Sequence, residues 1–337
     1  MRFTDVAVAS IAHADPPERV STAELAGRLA AHLPRLGLLP GTLAALSGIE
    51  ARRFWPRGTA PSEAASLAAE RALAAADVPP DRIGVLINTS VCRDYVEPST
   101  ACLVHRRLGL SARCLNFDLS NACLGFLNGL DLAATMIERG QVDAALIVDG
   151  EDSRSIVERT LGRLAAADSS PEPLRHHLAT LPLGSGAAAA VVVRRGHAAG
   201  HAYRGSVSLA STVHNDLCRG QTDWMETDTR GLLTAGLELA ARTWREAEEE
   251  LGWSAEALDV AVLHQVSKVH TESLARARGL SLSRVPVIYP EHGNVGPAAV
   301  PITLSKAVAD GRVRPGDRVA LMGIGSGLNC SMAEVLW

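Results

Sequence analysis

An internal repeat constrains this chain more than any other feature of its sequence. Arg82–Ser90 reads RIGVLINTS and Asp259–Ser267 reads DVAVLHQVS; further on, Gln141–Gly150 (QVDAALIVDG) matches Gly316–Gly325 (GDRVALMGIG). The first pair reads as buried strands rich in β-branched residues. The second reads as apolar strands ending in glycine, each after a helix with Ala and Leu at helical spacing, at about 124–139 and 298–310. Order and spacing agree over several elements, so one βαβ layout is used twice. Strands apolar throughout and joined by helices predict parallel sheets covered by helices on both faces. Between the copies, residues 151–184 read as an inserted helical excursion containing SSPEP and the adjacent His176 and His177, followed by a strand at Ala187–Arg194. The expected organisation is therefore an N-terminal half, 1–195, carrying that insertion, and a C-terminal half, 196–337. A second irregular stretch at about 211–232, with Trp224, Met225 and several Asp and Arg residues, reads equally well as a flap over a pocket or as a surface connection.

Composition narrows the class. The 337 residues are 47% hydrophobic and 21% charged, a globular balance, and only 4% aromatic, so the core is built mostly from Ala, Leu and Val. A net charge of -4 gives no electrostatic ground for a nucleic-acid partner. Cys92, Cys102, Cys114, Cys123, Cys218 and Cys330 form no C-x-x-C pair and no metal-ligand spacing, which reads as reduced thiols in a cytoplasm. The opening MRFTDVAVASIAHAD is interrupted by Asp5 and lacks the apolar run of a signal peptide. The longest apolar runs, such as Ala187–Val193, have the length of a strand and not of a membrane span. A cytoplasmic protein without a metal or cofactor is the expectation.

Four short segments carry candidate chemistry. In Asn121-Ala122-Cys123-Leu124-Gly125-Phe126 a strand-like LNFDLS gives way to the amphipathic LGFLNGLDLAATMIERG. Cys123 thus falls at a strand-to-helix turn, where a helix N-terminus would lower a thiol pKa and favour the thiolate. Small neighbours at Ala122 and Gly125 leave room for a substrate. Free cysteine is also a common core residue, and packing is the default for the other five. His264 ends the apolar strand Val260–Leu263 in the second copy; a lone histidine there is more often structural than catalytic. Glu291-His292-Gly293-Asn294-Val295-Gly296-Pro297 is a polar, Gly-rich turn at the place equivalent to the Cys123 turn, which a helix cap alone would explain. Gly323-Ile324-Gly325-Ser326-Gly327 follows a strand and can aim backbone N–H groups at an oxyanion or a phosphate, although no nucleotide-binding pattern is completed.

In chain order, D-x-x-N-A-C-x-G, a strand ending in HQ, GN-x-G before a helix, and G-x-G-S-G resemble the ketoacyl synthase III branch of the thiolase superfamily, over nearly all of the chain. Within that branch the stretches LINTSVCRDYVEPST, EHGNVGPAAVPITLSK and ALMGIGSGLNCSMAEV are most similar to the OleA group, which begins bacterial long-chain olefin synthesis. The resemblance implies an α/β thiolase fold: two pseudo-repeated βαβαβ halves in a five-layered αβαβα sandwich. It implies that Cys123 takes the first acyl group as a thioester, and that His264 and Asn294 bind the thioester oxygen of the second substrate. It also implies an oxyanion hole from the backbone N–H groups of Cys123 and Ser326. Glu97, in RDYVEPST, would be the base that removes an α-proton, reaching into the active site of a partner subunit; without the resemblance Glu97 would read as a solvated loop residue.

The implied activity is a non-decarboxylative Claisen condensation of two fatty acyl-CoA thioesters. Its 2-alkyl-3-ketoacyl product would be released as a β-keto acid for olefin, ketone or β-lactone synthesis. The implied partners are the fatty acyl-CoA substrates, a second copy in a homodimer, and downstream enzymes of the same pathway. Coenzyme A enters with the substrate and no cofactor is implied. Alternatives are a decarboxylative synthase using a malonyl donor, an acyl-CoA thioesterase, and an inactive subunit that lends Glu97 to a catalytic homologue. Two departures point away from a fatty-acid initiator. Where the branch usually reads HQ-A-N and GN-T-S, this chain reads His264-Gln265-Val266-Ser267 and Asn294-Val295-Gly296-Pro297.

Overall fold

The computed structural model describes residues 1–34, 41–166 and 176–337. The SSPEP stretch of the insertion lies outside them. The first half contains β1 (Val6–Ala14), β2 (Glu18–Ser21), α1 (Thr22–Arg28), α2 (Thr42–Ser47), β3 (Ala51–Phe54), α3 (Pro61–Ala76), β4 (Val85–Asn88), α4 (Thr100–Arg107) and β5 (Leu115–Asp118). It continues with α5 (Gly125–Glu138), β6 (Ala144–Glu151), α6 (Arg154–Ala166) and β7 (Gly186–Arg194). The second half contains β8 (His201–Ala210), the short β9 (Cys218–Gly220) and β10 (Met225–Thr227), α7 (Thr229–Leu251), β11 (Val260–Leu263) and α8 (Lys268–Ala277). It ends with α9 (Tyr289–His292), α10 (Ala299–Ala309), β12 (Arg318–Gly325) and β13 (Asn329–Leu336).

The sheet order is β11-β12-β13-β8-β1-β7-β6-β4-β5. Both copies share one pattern: β4 runs parallel to β6, which pairs antiparallel with β7, and β7 with β1; likewise β11, β12, β13 and β8. The two sets meet along β1 and β8 through only two residue pairs, Ala7 with Ala202 and Val8 with His201. The expectation of parallel sheets therefore holds only where a helix makes the crossover. The return from β12 to β13 is a tight turn, and the 151–184 excursion brings β7 back against β6 in the opposite sense, so both sheets are mixed. In the second copy the place of β5 is taken by the unpaired segment 286–288. The Gln265 side chain substitutes for a ladder there, donating to Pro286 O (3.0 Å) and accepting from Ile288 N (2.8 Å).

Three packed clusters give five layers. Ala64, Ala65, Ala68, Ala69 and Ala72 of α3 lie with Val104 of α4 against Leu86, Leu146 and Val191. On the far side, α7 and α8 cover β11, β12 and β13 through Leu239, Trp244 and Leu274. Between the sheets, α5 and α10 pack on both at once: Phe126, Leu130, Ile302 and Leu304 share a cluster with Val85, Ile147, Val262 and Leu321. The alanine face of α3 explains how so aromatic-poor a chain builds a dense core, since helix and sheet approach closely with little side-chain volume between them. A methyl group at Gly150 would meet Pro61 O at 2.2 Å. Burying α5 and α10 between two sheets also fixes where their N-terminal turns stand, and those turns carry Cys123 and follow Asn294.

Candidate active site

Cys123 stands in the turn that leads into α5. Ala122 before it adopts the left-handed φ of +45°, a strained conformation for alanine that only a well-held turn sustains. The hold is visible. Leu124 N donates to Asn121 O (3.0 Å), Asn121 Nδ2 donates to Asn128 Oδ1 on α5 (2.6 Å), and Asn329 Nδ2 of β13 donates to Asn121 Oδ1 (3.3 Å). The end of α5 is pressed onto the exit of β4: a methyl group at Gly125 would sit 2.4 Å from Thr89 O, a backbone atom that cannot move aside. Gly125→Ala is expected to cost about 1–3 kcal/mol of stability by overpacking and to slow acylation of Cys123, checked by thermal unfolding and intact-protein mass spectrometry.

The glycines of β12 bring the two halves together. A methyl group at Gly323 would lie 2.6 Å from Leu124 Cδ2 and 3.8 Å from His264 Cβ, and one at Gly325 would lie 3.5 Å from Cys123 N. The Cys123 turn and His264 therefore flank the same strand end, packed on bare backbone. His264 is buried, and neither ring nitrogen has a hydrogen-bond partner among the described residues. Asn294 is fixed by its backbone, with N donating to Pro182 O and O accepting from Gly184 N, both 2.9 Å. Its Oδ1 accepts from Gly296 N (3.0 Å), which leaves the amide nitrogen as the end free to donate. The Gly296 backbone lies beside the His264 ring and favours its protonation weakly. Ser326, in the turn after Gly325, makes no backbone N–H hydrogen bond among the described residues.

The electrostatics correct the expected thiolate. Burial pushes the Cys123 thiol up to about 12, with the nearby Cys218, Glu151 and Asp149 adding to it, and only its own backbone N–H opposing. Cys123 stands just before the N-cap residue Leu124, and burial and the nearby acids act against the thiolate that a helix terminus favours. Burial also lowers His264 to about 3. A thiol near 12 and an imidazole near 3 do not form a resting ion pair, so both are neutral before substrate binds. Attack then has to be coupled to proton transfer, and the open ring nitrogens of His264 suit that and hydrogen bonding to an oxygen.

Glu97 is not brought to this cluster within its own chain. It is exposed, makes no hydrogen bond or ion pair among the described residues, and stands beside Tyr95 (60% exposed) and Val96 (100% exposed). The irregular 211–232 stretch forms the β9–β10 hairpin. His177 Nδ1 bonds Met225 O (3.0 Å), and Asp223 pairs with Arg159 and Arg163 of α6, so the hairpin leans on the insertion. Cys218 of that hairpin acts electrostatically on Cys123. Sequence reading missed Asp149 and Glu151, two buried acids at the end of β6. Their signal was present in AALIVDGE, because acids two apart at the end of an apolar strand share one face.

Residues 117–212 match the family model of 3-oxoacyl-[acyl-carrier-protein] synthase III, and residues 249–337 match the C-terminal model of the same name. An acyl-CoA:acyl-CoA alkyltransferase of Xanthomonas campestris pv. campestris is 48% identical over 338 residues, covering 100% of both chains. A second alkyltransferase of that name, from Shewanella oneidensis, is 35% identical, again over 100% of both. The crystal structure of Xanthomonas campestris OleA with a cysteine replaced by alanine superposes with a TM-score of 0.98 at 48% identity, covering 100% of this chain and 98% of that one. The same protein is also solved with substitutions at a histidine and at a glutamate.

Proposed function

This chain belongs to the 3-oxoacyl-[acyl-carrier-protein] synthase III family, among the acyl-CoA:acyl-CoA alkyltransferases, and from that premise we propose that it joins two fatty acyl-CoA thioesters by a non-decarboxylative Claisen condensation. The observation that carries the reading is the convergence of the Cys123 turn and His264 on Gly323 and Gly325, in a chain whose alkyltransferase relatives match it end to end. In the first half-reaction Cys123 Sγ attacks the thioester carbonyl. Its proton passes by way of His264 to the departing CoA sulfur, and the backbone N–H groups of Cys123 and Ser326 receive the developing oxyanion.

In the second half-reaction His264 and the Asn294 amide hold the thioester oxygen of the second acyl-CoA. Glu97 of a partner subunit takes the α-proton, and the resulting carbanion attacks the acyl-Cys123 carbonyl. The Cys123 thiolate leaves and a 2-alkyl-3-ketoacyl-CoA forms, which water converts to the β-keto acid and free CoA. A homodimer is supported by the exposure of Val91 (53%), Tyr95 and Val96 around Glu97, and by the exposed Leu115 on β5, the outer strand of its sheet. Among the described residues no helix is long and apolar enough to cross a membrane. We place the enzyme in the cytoplasm, where it would supply β-keto acids for olefin, ketone or β-lactone synthesis.

A long-chain acyl-CoA given as sole substrate is expected to yield a β-keto acid, or the ketone left by its decarboxylation, by mass spectrometry. A strict requirement for a malonyl donor would overturn the condensation without decarboxylation, and free fatty acid alone would mean a thioesterase or a missing second substrate, which adding a malonyl donor separates.

A further inference from the structure

Asp149 and Glu151 leave the same face of β6 and are buried, at 0% and 5% exposure. The mechanism above gives neither of them a task. Buried carboxylates are costly unless their oxygens are bonded, and the bonds show what Glu151 holds. Its two oxygens accept from Val91 N (2.6 Å) and Cys92 N (3.2 Å), the residues that open the loop ending in Glu97. A methyl group at Gly296 would stand 3.8 Å from the Glu151 carboxyl carbon, so the same side chain lies against the turn that carries Asn294. The Glu151 backbone is itself fixed, its carbonyl accepting from the Trp55 indole (3.1 Å).

Asp149 supports the arrangement from below. The Thr89 hydroxyl donates to its Oδ2 (2.7 Å), and its Oδ1 has no partner. Burial and the charge of Glu151 raise Asp149 well above the ordinary carboxylate range; burial raises Glu151 too, while Val91, Cys92 and Arg93 oppose that. Two adjacent buried acids share one proton. The two backbone N–H groups donated to Glu151 favour its charged form over that of Asp149.

We propose that Glu151 is a positioning residue for the condensation step, pinning the root of the Glu97 loop against the Asn294 turn. The base lent to one active site is thereby held in register by a side chain embedded in the other. The inference rests on the reading of Glu97 as the α-proton base.

Glu151→Gln keeps the size of the side chain but sets an amide nitrogen against one of the two backbone N–H groups, so the loop root is released. A displacement of about 1 Å at a reacting group costs on the order of 100-fold. Condensation from acyl-CoA alone is expected to fall about that much, while acylation of Cys123, followed by intact-protein mass spectrometry, does not fall, because losing the Glu151 charge eases ionisation of the thiol. Glu151→Asp, which keeps the charge but shortens the reach, is expected to show the same split and carries the test if the glutamine variant does not fold. An equal fall in both half-reactions would make Glu151 merely structural, and an unchanged condensation rate would remove its role; either overturns the proposal. A wild-type protein that makes no condensation product overturns the proposed function first, and this inference with it.

Discussion

Glu97→Ala is expected to load acyl groups onto Cys123 at close to the wild-type rate and to lose carbon–carbon bond formation by about 100- to 10,000-fold, the range a general base contributes. The two half-reactions ask for different groups. Acylation needs a nucleophile, a path for its proton and an oxyanion site, which the proposed mechanism assigns to Cys123, His264 and the backbone near Ser326, all within one chain. Condensation without decarboxylation needs, in addition, removal of a weakly acidic proton from the carbon beside a thioester. In the proposed mechanism His264 is engaged with the thioester oxygen of the second substrate, so a separate group has to take that proton. Glu97, exposed at the tip of an apolar loop, is a carboxylate free to approach from outside the chain.

A mixed dimer sharpens the prediction. Cys123→Ala and Glu97→Ala chains, each inactive alone, should regain condensation when co-expressed, because a heterodimer then contains one site with a cysteine from one chain and a base from the other. Loss of acylation in Glu97→Ala would make the residue mainly structural. Failure of the mixed dimers to make product would end the idea of a base lent between subunits.

Glu97 also shows where sequence is informative. The repeated halves, the strand at Val260–Leu263 and the helices at Gly125–Glu138 and Ala299–Ala309 were readable because burial on both faces leaves a continuous apolar run or a helical period. Strand direction was not readable. Whether β7 returns parallel or antiparallel to β6 depends on the path of the intervening excursion, and β-branched residues do not encode it. The positions of Cys123, His264 and Asn294 were legible as motifs, but what joins them was not. The contacts run through Gly323, Gly325 and Gly296, which have no side chain to announce a contact, and their meaning lies in what a methyl group there would strike. The upward push on the Cys123 thiol was not readable, because a helix terminus is visible in one sequence window and its buried neighbours are not. Asp149, Glu151 and Cys218 are brought to it by the fold from elsewhere in the chain.

Cys123→Ala is expected to abolish both covalent acylation and product formation, leaving the fold intact, since the substitution removes one half-buried sulfur and no hydrogen-bonded partner of the Asn121 network. The wild-type thiol adds a second, quantitative arm. With the thiol at about 12 against an ordinary 9.0, the resting thiolate fraction near neutral pH is lower by about three orders of magnitude. The direction is that of an acid whose neutral form is favoured by burial, so alkylation of Cys123 by iodoacetamide should be slow at pH 7 and still be climbing above pH 9. Acyl-CoA is not bound by this limit, because its carbonyl is delivered next to Cys123 and the proton can move to the leaving sulfur as the bond forms. Rapid alkylation at pH 7 would show that the helix terminus prevails over burial and the nearby acids, and that the nucleophile is a thiolate at rest. Persistent acylation of the Cys123→Ala protein would move the nucleophile elsewhere, and Cys218, the thiol that already acts on Cys123, would be the first to replace.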